Sequence, residues 1–299
     1  MSLISEAQFT NVIKPGIFKV FVNYFNDLPR ESLVGAMYRL EQSERSQETY
    51  LEVEDIGNMP VFTGDLTYVD FKEGKTKVLV PNEYAMGLKL QRRLFDDDLY
   101  NVIEQLVGNM GTVARYRMEI DAIGPFINAG NSTYTVFDGL SLGNSAHSFV
   151  STSTTQSNTG TAPFSYAALD AVVIAMRRFT DSRDRAIFTM SPDMLFGPVD
   201  LESQFREVID SKFKPGGSLN NISAYNDKFT IRTSPLFSST TNWFVIDSKK
   251  MKQFNIWQQR IPLELKNTGD FDSYAKKYAA YMRYINSPVH WVWTYFQNA

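Results

Sequence analysis

Two histidines, His147 and His290, and a run of three carboxylates, Asp96, Asp97 and Asp98, are the groups that invite a chemical reading first. Adjacent carboxylates are hard oxygen donors of the kind that hold Mg2+ for hydrolytic or phosphoryl chemistry, which would centre a metal-dependent hydrolase on Asp97. No second acidic motif, phosphate-binding glycine loop or Lys-Ser pair accompanies them, so helix capping is the stronger reading. His147 lies in Gly143-Asn144-Ser145-Ala146-His147-Ser148, downstream of Asp138, a grouping that suggests a Ser-His-Asp relay. Yet no Gly-x-Ser-x-Gly turn presents a nucleophile, and a histidine in a Ser-rich loop more often bonds locally. His290, between Pro288 and Trp291, reads as a structural histidine. Pro215-Gly216-Gly217-Ser218 lacks the lysine and helix that let a glycine loop hold phosphate. The aromatic set Tyr281, Tyr284, Trp291, Trp293, Tyr295 and Phe296 has the makings of a base-stacking platform, but packing within a β layer is the commoner use. Zero cysteines exclude disulfides and thiolate sites, and two histidines cannot build a multi-histidine metal centre. The reading is of a non-enzyme with no cofactor and no metal.

Composition agrees. The 299 residues are 43% hydrophobic and 21% charged, an ordinary globular balance and long enough for two packed domains. A net charge of -3 supplies no basic field for tight, sequence-specific nucleic-acid binding. No stretch approaches the roughly 20 apolar residues that span a bilayer, and the first residues lack the pattern of a signal or transit peptide, which predicts an intracellular product with no membrane partner. Residues 1–130 hold 13 basic and 19 acidic side chains and the remainder 17 and 14, an asymmetry that suits self-association.

The elements that would carry these residues can be laid out along the chain. Residues 1–50 read as an extended arm with a helical piece. Leu66 to Phe71 and Val78 to Val80, around Lys72-Glu73-Gly74-Lys75, predict a β-hairpin turning at Gly74. Alternation of Tyr84, Met86, Leu88 and Leu90 predicts a half-buried strand that ends at Arg92-Arg93. The three aspartates should then cap a long amphipathic helix, whose inward face is Leu99, Val102, Ile103, Leu106, Val107, Met110 and Val113. Gly108 and Gly111 would permit a bend, and Pro125 should end the helix. Asn128 to Gly160, crowded with Ser, Thr, Asn and Gly, reads as a long surface excursion and domain boundary. Helices are predicted over Tyr166 to Phe179 and after Asp200, with Leu201, Phe205, Val208 and Ile209 inward. Buried or short strands are predicted at Ala186 to Thr189, Phe229 to Arg232, Trp243 to Ile246, Phe254 to Gln258, Leu263 to Lys266 and Val289 to Phe296.

This order resembles the major capsid proteins of tailed bacteriophages, in particular major head subunits similar to that of phage Mu, which have the Hong Kong 97-type fold. The matching features are the hairpin at Leu66 to Val80, the strand Leu88-Lys89-Leu90-Gln91-Arg92-Arg93, Asp96-Asp97-Asp98 with its long helix, and the phrases Phe126-Ile127-Asn128-Ala129-Gly130, Asp138-Gly139-Leu140 and Ser145-Ala146-His147. Gly143-Asn144 stands where the family carries Leu-Phe. Later, Leu169 to Arg178, Ile187 to Pro192, Leu201 to Ser211 and the strand Trp243-Phe244-Val245-Ile246-Asp247 follow the same order.

The resemblance implies an α+β subunit with an N-terminal arm (1–50), a peripheral domain with extended loop and spine helix (51–126), an axial domain (127–270) and C-terminal strands returning to the peripheral domain (271–299). It implies self-assembly into hexamers and pentamers of an icosahedral head that encloses double-stranded DNA, assembled in the host cytoplasm and ending in the virion. Scaffolding, portal and decoration or cement proteins are the implied partners. Phe71, Lys72, Glu73, Lys75 and Lys77 would dock the extended loop on a neighbour, and Asp96, Asp97 and Asp98 would cap the spine helix. An encapsulin-like nanocompartment shell is the alternative within the same fold.

Overall fold

The computed structural model describes residues 15–26, 32–56, 58–66, 68, 73–97, 102–152, 154–215, 221–270 and 274–299. In chain order the elements are α1 (Pro15–Asn26), α2 (Leu33–Met37), β1 (Arg39–Gln42), β2 (Glu48–Val53), β3 (Glu73–Leu79), β4 (Asn82–Leu90), α3 (Arg92–Asp96), α4 (Val102–Ile127), β5 (Thr159–Gly160), α5 (Tyr166–Arg177), β6 (Met194–Pro198), α6 (Glu202–Ile209), β7 (Thr230–Ser234), β8 (Trp243–Ile246), α7 (Ser248–Phe254), β9 (Asn255–Gly269), β10 (Lys276–Pro288) and β11 (Thr294–Gln297). Two compact units share the chain. The first takes Met1–Glu48, Leu79–Ala122 and Trp257–Asn286, and the second Thr49–Val78, Ile123–Ile256 and Ser287–Ala299. Residues 49–78 thus group with 123–256, the last turn of α4 and the final strand β11 among them.

The first unit is built on a four-stranded sheet ordered β1-β9-β10-β4. Its β4 shows the alternation read from the sequence, with Tyr84, Met86 and Leu88 half-buried and Leu90 buried, and pairs antiparallel with β10, Leu90 opposite Lys276 and Asn82 opposite Tyr284. Around Trp257 the aromatic rings order the core: Tyr38 meets it edge-on at 5.7 Å and Tyr284 stacks on it at 4.5 Å. Phe21 and Phe25, one turn apart on α1, are fully buried. Gly111 explains how α1 comes so close to α4, since a Cβ there would lie 2.6 Å from the Phe21 carbonyl oxygen. Close helix approach, rather than a bend, is what this glycine provides.

Pro125 does not end α4, which runs on to Ile127. A proline has no N–H to give the carbonyl four residues earlier, here Asp121. Asn286 fills the gap by donating from Nδ2 to Asp121 O at 2.6 Å, and Tyr38 donates to Ala122 O at 2.5 Å. The Asp121 carboxylate accepts from Tyr284 Oη at 2.7 Å and pairs with Arg117 at 2.5 Å. We expect Asn286→Leu, which strands this buried carbonyl, to cost about 1–3 kcal/mol in urea unfolding.

The second unit holds a five-stranded sheet ordered β5-β11-β8-β6-β7. β6 and β8 are buried at every position, as continuous apolar runs in a sheet covered on both faces should be. Phe126 meets Phe196, Phe244 and Trp293 edge-on at 4.8, 5.4 and 6.0 Å. On α6, Leu201 just upstream, Phe205, Val208 and Ile209 point inward as expected. Ser165 caps α5, accepting from Ala168 N, and Asp247 caps α7, accepting from Lys250 N.

Several expectations need correction. Ala186 to Thr189 is not a buried strand: only Ala186 bridges Thr180, and Phe188 is 95% exposed. Residues 128–160 are irregular but not a surface excursion, because Ala129, Leu142, His147 and Asn158 are fully buried in them. The two short strands expected at 254–258 and 263–266 are one continuous β9, and the long β10 carries Tyr281 and Tyr284.

Candidate assembly interface

The projecting element expected from the sequence is assembled from different strands. β3 pairs with β2 in a two-stranded sheet, and Gly74 lies inside β3 instead of at a turn. A Cβ at Gly74 would lie 2.6 Å from the Glu52 carbonyl oxygen, so glycine is required for the strands to approach. β2 ends at Val53 and β3 begins at Glu73. Of the expected docking residues, Phe71 and Lys72 lie outside the described residues.

The root of this hairpin, itself part of the second unit, is fastened within that unit by charged side chains. Glu52 is buried, faces His290 Nε2 at 3.3 Å and accepts from Lys75 N at 3.4 Å. Glu54, also buried, accepts from both the backbone N–H and the hydroxyl of Ser151. Lys75 donates to Ser148 O at 3.3 Å. Lys77 donates to Thr135 O, to Ser287 Oγ at 2.6 Å and to Pro288 O at 2.9 Å, three acceptors for its three N–H groups. Lys75 and Lys77 thus both have acceptors within their own chain. Glu73, at the start of β3, is exposed.

Burial lowers the Lys77 amine from 10.5 to about 8. Between those values the unfolded chain binds more protons than the folded one, so stability rises with pH across that window and is lowest below it. The shift corresponds to roughly 3 kcal/mol at most. We expect stability measured from pH 7 to 10.5 to climb in the natural chain and to stay flatter in Lys77→Met.

Beyond the root, the loop is strapped for a few residues more. Asp55 N donates to Ser182 Oγ at 3.0 Å, and Arg183 Nε donates to Asp55 O at 3.1 Å. Arg185, held by Asp181 at 2.7 Å, donates to Asn58 Oδ1 at 3.0 Å. Burial raises the Asp181 carboxyl, but its bonds from Arg185 and Arg183 outweigh this and hold it below the usual carboxylate range. After Asn58 the chain is open and apolar: Met59 is 97% exposed, Val61 87%, Phe62 69% and Tyr68 89%. Sequence reasoning missed this segment. Its signal was there in Met59-Pro60-Val61-Phe62, an apolar run with neither helical nor strand period.

The other candidates resolve individually. Asp96 ends α3 and Asp97 is its C-cap, and both are exposed and paired with Arg92 and Arg93 at 3.4 and 3.6 Å. They do not cap α4, which begins at Val102 with Glu104 in its first turn, and Asp98 lies outside the described residues. The misreading has a local cause: Gln91 to Asp96 closes a short helix of its own. Among the described residues no three His, Asp or Glu side chains gather as a metal would need. His147 does meet Asp138, at 2.6 Å, but its other ring nitrogen faces Leu142 O at 3.3 Å and no hydroxyl, so no relay exists. Tyr284, Trp291, Trp293 and Phe296 are buried in the core, and Gly216 to Ser218 lie outside the described residues.

A profile of the phage capsid protein family matches residues 75–293. Among solved structures, the chain is similar to a subunit of the bacteriophage PhiM1 mature capsid, at 11% identity and a TM-score of 0.58 over 98% of this chain and 91% of that one. It is similar to the bacteriophage JBD30 capsid at 13% identity and 0.59, over 75% and 99%. The virus-like particle from Pyrococcus furiosus shares 9% identity at 0.53, over 93% and 96%. No curated protein sequence matches. At these identities the likeness is one of fold.

Proposed function

The chain belongs to the phage capsid protein family and has the Hong Kong 97-type fold, so it is a structural, shell-forming protein, and we propose that it builds the hexamers and pentamers of a tailed-phage head around double-stranded DNA. The first unit, with α4 as spine helix, serves as the peripheral domain, and the second as the axial domain. Scaffolding, portal and decoration proteins complete the particle, which is assembled in the host cytoplasm. DNA is held without sequence reading, consistent with a net charge of -3.

The observation that carries the docking step is the exposed run Met59-Pro60-Val61-Phe62. A contiguous exposed apolar run marks an interaction surface. Its root is fixed by Glu52, Glu54, Lys75 and Lys77, which lets the tip reach a neighbour without the subunit losing order. A closed shell repeats one such heterologous contact with small adjustments. A nanocompartment with the same subunit plan is less favoured, because the matching family is that of phage capsids.

Sedimentation of the protein with its scaffold, electron microscopy of the fast fraction and assay of nuclease-protected DNA in purified heads test this. Uniform polyhedral shells with protected double-stranded DNA are expected. Shells that hold cargo protein and no DNA would identify a nanocompartment, and a discrete monomer under these conditions would overturn the proposal.

A further inference from the structure

The chain's two histidines pack against one indole, Trp291, and are wired in opposite ways. His147 stacks on Trp291 at 4.7 Å and 5°, and His290 stacks on it at 5.6 Å and 29°. Both nitrogens of His147 face acceptors, Asp138 Oδ2 and Leu142 O. Burial pushes the Asp138 carboxyl up, but His147, the Leu140 N–H and Lys75 together hold it below the usual carboxylate range. In His290, Nδ1 accepts from the Val292 N–H at 3.0 Å, which leaves the proton on Nε2, facing Glu52 Oε1 at 3.3 Å.

The surroundings of His290 are mostly apolar. Phe137 and Phe149 pack on it at 6.3 and 5.6 Å from the irregular segment, and Phe254 at 5.0 Å from α7. Charged groups face it from two strands: Glu52 on β2, and Lys77 on β3, whose ammonium sits on Pro288 O two residues before the ring. Lys75 adds its backbone N–H to Glu52. Asp138 and His147 reach the cluster through Trp291.

Imidazole is the side chain whose charge changes between about pH 5 and 8. A proton added to His290 goes to Nδ1, the nitrogen that lacks one, and there it points at the Val292 N–H, donor against donor. Attraction to Glu52 favours the charged ring, but the ring cannot keep both partners in this geometry. It must turn from Val292, or the turn at 290–292 must open, and either movement shifts the atom that Glu52 holds. Glu52 is the residue of β2 that ties the hairpin root to the C-terminal segment and also receives a β3 N–H.

The geometry points to an acid-sensitive latch at the hairpin root, in which protonation of His290 loosens β2 and β3 from residues 287–292. One chain then has a fastened and a loosened hairpin, selected by pH. This goes beyond shell formation and does not depend on it.

Hydrogen–deuterium exchange of the full chain at about pH 7.5 and 5.5, corrected for the intrinsic pH dependence of exchange, tests the latch. Residues 48–53 and 73–79 should exchange about tenfold faster at the lower pH, the factor expected for one lost buried hydrogen bond, while β6 and β8 stay unchanged. His290→Gln, which cannot titrate, should abolish the difference. Glu52→Gln keeps an acceptor without its charge and should move the midpoint to lower pH. Equal exchange in the natural chain at both pH values, or a difference that survives in His290→Gln, would overturn the latch. Should His290→Gln fail to fold by circular dichroism, an unmoved midpoint in Glu52→Gln would overturn it equally.

Discussion

Met59→Ser, Val61→Ser and Phe62→Ser combined are expected to leave a folded subunit that forms no shells. All three side chains project into solvent, so folding stability should change by no more than about 0.5 kcal/mol. Burial of each in a contact with a neighbour is worth about 1.5–3 kcal/mol, and the contact recurs for every copy in the shell. Losing even half of that summed over the three side chains raises the protein concentration needed for assembly by roughly 50-fold or more. Thermal melting by circular dichroism should match the natural chain, and sedimentation should find only the slow species. Intact shells from this triple variant would remove the segment from the docking role. Excision has to respect the same boundary: removing 59–66 takes away the tip alone, whereas removing β3 also takes Lys75 and Lys77 from the root.

Phe126→Ala is expected to act in the opposite way, on folding. Phe126 is 1% exposed and meets Phe196, Phe244 and Trp293 edge-on, so its loss opens a cavity between two fully buried strands that cannot easily close. Truncation of a core Phe costs about 3–5 kcal/mol, a large share of the stability of most domains. Urea denaturation should show the midpoint falling with an unchanged slope. Phe188→Ala is the control: its ring is exposed, and the same measurement should detect almost no change. Equal effects from the two would contradict the packing described for the second unit.

How much was legible in the sequence depends on whether the information was local. β4 was readable because Tyr84, Met86, Leu88 and Leu90 alternate within one strand, and α6 because Phe205, Val208 and Ile209 recur at helical spacing. Pro125 misled because its interruption is repaired by Asn286, more than 160 residues away, and nothing near Pro125 announces that partner. Gly74 misled for a similar reason. A glycine between two β-rich runs signals a turn, but here it admits the Glu52 backbone from a strand more than 20 residues earlier. Lys75 and Lys77 looked like surface charge since carbonyl partners such as Ser148 O and Pro288 O leave no mark in side-chain type. The exposed run at 59–62 was overlooked because it has neither the helical nor the strand period that marks an element along the chain.

The interleaving of the two units bears on how the chain is made. The first unit needs residues 257–286, and the second needs 287–299, where β11 sits between β5 and β8 in the sheet. A ribosome adding about 5–20 residues per second therefore has to make residues 1–286 before either unit can close. The first unit cannot close before Asn286 has been made, nor the second before β11, so a chain that stops ahead of Trp257 leaves both incomplete.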